Sequence, residues 1–157
     1  MFHRVLIAFD HSPQSILALK VARTHFPEAE RRLLTVVEES DLPRNVPNLV
    51  PTSAAAQALD DLKEVTWPQE SSRVVIGRRA STLLRAARAF EADLLVIGTH
   101  GRQGLNRWLS GSVAEEVVRK ASLPVLVIRE ASVTEDGPDS EMPQTAASPV
   151  GAASPAE

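Results

Sequence analysis

The chain contains no cysteine. Disulfides, a thiolate zinc site and a cysteine nucleophile are therefore unavailable, which removes several enzyme classes. A long apolar run near the start is missing too. MFHRVLIAFD offers only Val5 to Phe9 before an acid, shorter than a signal-peptide core and far shorter than a membrane span. A soluble, cytoplasmic protein with no membrane partner is the expectation. Basic excess is also lacking: all 17 Lys and Arg and 15 of the 20 acids precede residue 131, so that part carries about +2. A protein held on nucleic acid by phosphate contacts shows a clear basic excess, so DNA is not an expected partner.

At 157 residues and 43% apolar, the chain suffices for one domain with a real core and is too short for two. Residues 131–157 stand apart. They hold four of the eleven prolines, a charge of about −5 and no aromatic residue, Leu or Ile, so they cannot bury enough surface to offset their ordering entropy. One domain over 1–130, followed by a disordered acidic tail over 131–157, is expected.

Five short apolar runs punctuate residues 1–130: RVLIAFD, LLTVV, RVVIG, DLLVIG and PVLVI. They are continuous, as strands buried on both faces are in a parallel sheet covered by helices. Between them the period lengthens. Ile16, Leu19, Ala22 and Phe26 recur at helical spacing, as do Leu83, Ala87 and Phe90, and then Val113, Val117 and Ala121. Ser12-Pro13 suits an N-cap and first helical position, and VAEEVVRK carries acids early and bases late. ESDLPRNVPNLVP reads as a long loop, with Thr52 or Ser53 capping the helix that follows and Leu59 and Leu62 on one of its faces. The order βαβαβαβαβ predicts an α/β fold: an open, doubly wound, mostly parallel sheet with helices on both faces. Its ligand sits beyond the carboxyl ends of the strands.

That rule brings two segments to the ligand edge: Asp10, His11 and Ser12 after the first strand, and GTHGRQGLNRWLSGS after the fourth. The second holds four of only seven glycines, Gly98, Gly101, Gly104 and Gly111. It runs from a strand end into a helix start, where unpaired N–H groups and a partial positive charge suit phosphate. Neither G-x-x-x-x-G-K-[ST] nor GxGxxG occurs, so this is neither common phosphate loop.

Gly98-x2-Gly101-x9-Gly111-Ser112 resembles the nucleotide signature of the universal stress protein family, in its ATP-binding branch. GTHGRQG, GSVAEEVVRKASLPVLVI and VLIAFDHS resemble the family's neighbouring segments in the same order, and the likeness covers about residues 2 to 130. The resemblance implies five strands in the order 3-2-1-4-5 and an ATP site, with magnesium or manganese as the accompanying ion. Asp10 and Val36 would face the adenosine end. Ile97, Gly98, Gly101, Gly111, Ser112 and Val113 would hold ribose and phosphates. It also implies a homodimer whose last strands meet, with Val125 and Val127 on one face. Two places depart from the family pattern: Gly77-Arg78-Arg79 replaces a frequent G-x-P, and His11 stands where glycine is common.

Plainer roles compete for several of these residues. Asp10 also suits a helix cap, and His100 suits packing or hydrogen bonding better than general-base catalysis. Trp108 could stack on a base but is expected rather to cover the sheet edge or pin the loop, and Trp67 to pack a connection. The Arg pairs 31/32, 78/79 and 85/88 are spread along the body, and a solvated surface explains most of them. Three functions are compatible with these residues: an ATP-binding stress-response regulator acting on an unknown protein partner, a slow ATPase using His100 or Asp10 with a metal-bound phosphate, and a nucleotide-free scaffold. The intact glycine spacing separates the third from the others.

Overall fold

The apolar runs become strands with two buried faces, because their residues alternate between two helical layers. In the computed structural model, which describes residues 1–38, 51–99 and 113–129, the elements follow the expected order. They are β1 (Arg4–Ala8), α1 (Pro13–His25), β2 (Glu30–Val37), α2 (Pro51–Val65), β3 (Glu70–Ile76), α3 (Arg79–Ala89), β4 (Leu94–Thr99), α4 (Val113–Lys120) and β5 (Val125–Arg129). All five strands are parallel and lie in the order β3-β2-β1-β4-β5. Val5, Ile7, Leu33, Leu94 and Val96 turn to one core with Ala18, Leu19, Ala22 and Leu62. Leu6, Leu34, Leu95 and Ile97 turn to the other with Leu83, Leu84, Ala87 and Val117. The chain steps from β1 through β2 to β3, then returns past β1 to β4, so the switch point lies between β1 and β4.

The helices match the sequence with two exceptions. Ser12 caps α1, its hydroxyl accepting from Ser15 N at 3.2 Å, with Pro13 opening the first turn. Helix α2 begins at Pro51, so Thr52 and Ser53 lie inside its first turn rather than capping it. Residues 39–50 lie outside the described residues. The second exception is the face of α1: Ala18, Leu19 and Ala22 are buried, but Ile16 is exposed. Gln14 and Ser15 are buried in its place, because the first turn of α1 presses on the end of β4.

The Arg31/Arg32 pair is not solvated surface. Strands β2 and β3 begin three residues before their apolar runs, pairing Arg31 with Glu70 and Arg32 with Ser71 in register. Arg31 is 3% exposed; its Nε donates to Glu70 at 3.0 Å and its Nη1 to the carbonyls of Phe26 and Pro27 at 2.8 and 2.7 Å. Arg23 reaches the same carboxylate with two bonds of 3.0 and 2.7 Å and the Val65 carbonyl with another of 2.7 Å, while stacking on Trp67 at 3.9 Å. Arg32 lies over the Phe90 ring at 4.0 Å. Buried charge survives only when it is paired and hydrogen-bonded; here the Glu70 carboxylate joins α1, β2 and β3, and Arg23 adds α2 through the Val65 carbonyl. Burial alone would push Glu70 up, but its bonds from Arg23, Trp67 N–H and Arg31 outweigh that and hold it below the usual carboxylate range.

Candidate functional site

At the other end of the sheet, the last residues of β1, β2 and β4 border a cleft of about 190 Å³. It is walled on one side by the starts of α3 and α4. Asp10, Val36, Ile97, Gly98 and Val113, five of the eight residues expected to meet ligand, all line it. Leu34, Val36, Leu83 and Ile97 supply an apolar surface, with Asp10, Ser15 and Thr99 as polar groups near it. Gly101, Gly111 and Ser112 lie outside the described residues, as do His100 and Trp108.

The Asp10 segment is fixed by its own bonds. Ser12 N–H donates to Asp10 Oδ1 at 3.0 Å, the short loop that an Asp side chain makes with backbone two residues on. Asp10 N–H in turn donates to Ser15 Oγ at 3.3 Å, and Ser15 Oγ–H to the Ser12 carbonyl at 2.9 Å. Asp10 therefore organises the turn, and Ser12 is the cap. His11 adopts φ 63°, the left-handed region that glycine occupies without strain. Its ring packs edge-on against Phe9, centroids 4.8 Å apart. Thr35 Oγ1–H donates to the Phe9 carbonyl at 2.8 Å and holds the end of β1 beside β2.

Gly98 has a structural reason to be glycine. A Cβ there would stand 2.5 Å from the Gln14 carbonyl carbon and 2.8 Å from Ser15 N. The bare backbone thus lets α1 close onto β4 beside the cleft that Gly98 and Ser15 both line.

The G-x-P departure forms the opposite rim. Gly77 has φ 150°, and a Cβ on it would lie 2.7 Å from Thr82 Oγ1. Arg78, the N-cap of α3, makes no side-chain capping bond. Glu38, just past β2, caps the helix instead. Its Oε1 accepts Arg79 N–H at 2.7 Å, and its Oε2 lies 3.3 Å from Arg79 Nη1. Arg79 lines the cleft, and with Glu38 it also lines an adjoining charged cavity of about 210 Å³ reaching Arg78, Glu116 and Arg119. Sequence reasoning noted Arg79 but missed Glu38. The rule that ligand groups follow strand ends would have found it, one residue beyond β2.

Val125 and Val127 share a face, as alternation requires, and both are partly buried against the α3/α4 core. Leu126 and Ile128 turn to the α1/α2 core. No helix among the described residues is long and apolar enough to cross a membrane.

Residues 1–129 match the universal stress protein family. A universal stress protein of Thermus aquaticus is 31% identical over 142 residues, covering 82% of this chain and all of that one. The chain spans only 45% of the length of several mycobacterial relatives that it also matches. Among solved structures, a universal stress protein family member from Burkholderia pseudomallei is 29% identical with a TM-score of 0.58, over 80% of this chain and 94% of that one. Two more distant ones share the fold: a universal stress protein in complex with cAMP, 22% identical with a TM-score of 0.52 over 80% of this chain and 96% of that one, and an Arabidopsis thaliana protein with AMP bound, 16% identical with a TM-score of 0.59 over 87% and 97%. Sequence signature, strand order and relatives agree: this chain belongs to the universal stress protein family.

Proposed function

We propose that the protein binds ATP in the cleft beyond β1, β2 and β4, and acts as a stress-response regulator whose nucleotide occupancy alters a surface read by a protein partner. The observation that carries this reading is the convergence of Asp10, Val36, Ile97, Gly98 and Val113 on one cleft at the switch point. Its chemistry fits a nucleoside: an apolar slot for a flat base, with a carboxylate and hydroxyls for ribose. At about 190 Å³ the cleft is smaller than the roughly 300 Å³ at which pockets for whole small ligands begin. A nucleoside is the part of the ligand that this volume suits; the family resemblance assigns the phosphates to Gly101, Gly111 and Ser112, and the start of α4 is a helix end that favours negative charge. The AMP and cAMP bound by two proteins of the same fold support an adenine nucleotide. Among the described residues no His, Asp and Glu cluster suits a metal ion; magnesium or manganese would ride mainly on the phosphates.

The unit that does this is residues 1–130, with 131–157 as an acidic tail. We further propose a homodimer through β5, an end strand of the sheet with β4 as its partner, since open edges are normally paired or covered. Because Val125 and Val127 pack into the protein's own core, their substitution would damage folding before it tested pairing. Light scattering of the full chain and of one ending at Glu130 is the cleaner measurement, and both are expected to be dimeric.

Mass spectrometry of ligand released from the purified, undialysed protein tests the nucleotide reading. ATP in near-stoichiometric amount is expected. ADP in its place would shift the reading to slow hydrolysis, and failure to take up added ATP would refute it.

A further inference from the structure

The resemblance to nucleotide-binding relatives says nothing of Arg79, because this chain departs from the family pattern there. Three observations give it a role. It stands at the first position of α3, on the wall shared by the nucleotide cleft and the charged cavity beside it. Its guanidinium is held by Glu38 at 3.3 Å, with the two side chains 38% and 25% exposed. Arg79 N–H also donates to Glu38, so the carboxylate remains anchored even when the guanidinium moves. Ion pairs that water reaches contribute little net stability, so a guanidinium in such a pair exchanges readily for a better oxyanion. A planar five-donor fork matches phosphate as well as carboxylate.

The cleft is also polar in a definite sense. Asp10 lines it from the end of β1, and Arg79 and Val113 line it from the starts of α3 and α4. An anionic group of a ligand is favoured beside Arg79 and disfavoured beside Asp10. Resting on the nucleotide reading above, we propose that Arg79 is a specificity-determining residue of the cleft: its guanidinium leaves Glu38 for an anionic group of the bound nucleotide, and the cleft thereby ranks ligands by phosphate charge. Glu38 is the built-in competitor. A neutral nucleoside offers nothing to draw the guanidinium away, whereas a phosphorylated one does.

Calorimetric titration of the full chain with ATP, AMP and adenosine tests this, using the parent, Arg79→Ala and Glu38→Gln. The parent should prefer ATP to AMP and AMP to adenosine. In Arg79→Ala the ratio of ATP to adenosine affinity should fall about tenfold, the loss of one charge-assisted contact. In Glu38→Gln the same ratio should rise severalfold, since the amide still accepts Arg79 N–H but no longer competes as an anion. These opposite directions distinguish a charge reader from a residue that merely supports the fold. A ratio unchanged in both variants overturns the proposal and leaves nucleotide binding standing. A parent that binds none of the three ligands overturns both. Should Arg79→Ala not fold, Arg79→Gln decides by the same ratio.

Discussion

The two ends of the sheet use arginine and carboxylate in opposite ways. At the amino end, Arg23, Arg31 and Glu70 form a knot in which the Glu70 side chain has no exposed surface and its two ion pairs join α1 and β2 to β3. At the carboxyl end, Arg79 and Glu38 form a partly solvated pair on the rim of an open cleft. Burial makes the first pair a staple, because removing either charge strands the other in a dry interior. Exposure makes the second pair exchangeable. The fully buried carboxylate is thus at the end remote from the cleft, and the pair on the cleft's rim is one that water reaches.

The largest way to disturb this division is Glu70→Ala, which leaves Arg31 and Arg23 without their carboxylate. Breaking a buried pair from one side costs about 3–5 kcal/mol, so the denaturant midpoint should drop steeply while the molecules that remain folded keep their nucleotide affinity. An equal loss of affinity would show that the two ends are not separate. Acid offers a milder version of the same test. Glu70 is depressed below its ordinary value in the fold, so the stability it supplies is fully present above its unfolded pKa. That stability is lost as pH falls through the lower folded value. Thermal melts should therefore show an acid-side decline that is reduced in Glu70→Gln, and an unchanged decline would remove Glu70 from the explanation.

Gly98→Ala should blur the division, because Gly98 belongs to both packing and cleft. A Cβ close to Gln14 and Ser15 backbone overpacks the α1/β4 contact at about 1–3 kcal/mol, and pushing α1 aside should also weaken nucleotide binding. Gly111→Val, by contrast, is expected to lower affinity tenfold or more, on the order of 1.4 kcal/mol, with the melting temperature unchanged. Parallel calorimetry and melts of the two variants separate a packing glycine from a ligand glycine. The smallest expected effect is that of His11→Gly. Relief of a left-handed residue adds about 1 kcal/mol, and loss of the edge-on Phe9 contact takes back a good part of it. A net gain of a few tenths of a kcal/mol is expected, and a clear loss would mean that the His11 ring matters more than its backbone.

Most of the fold was legible because the signals were local. The five apolar runs, the Ser12-Pro13 start and the acid-to-base order of α4 each act within one element. The amino-end knot was not legible. Arg31 and Glu70 are 39 positions apart, and their strand-start residues resemble solvated surface until the register of β2 and β3 is known. Ile16 misled for a related reason: helical spacing identifies a face, but Gly98 decides which face of α1 comes close to β4. At the cleft, Asp10, Val36, Ile97, Gly98 and Val113 were legible through family spacing and the strand-end rule. Glu38 was reachable by the strand-end rule as a position, but its role as the cap of α3 and partner of Arg79 was not, because it depends on the start of α3 lying beside the end of β2. The reason for Gly98 was only half visible too, since a glycine that admits neighbouring backbone and one that admits ligand read alike in sequence.

Titration of isotope-labelled protein with ATP, followed residue by residue through backbone amide resonances, compares the two ends in a single experiment. Shifts should gather at Asp10, Val36, Gly98, Thr99, Arg79 and Val113, with Arg23, Arg31 and Glu70 unmoved at saturation. Shifts centred on the amino-end knot, or none at a saturating concentration, would contradict a nucleotide site at the carboxyl ends of β1, β2 and β4.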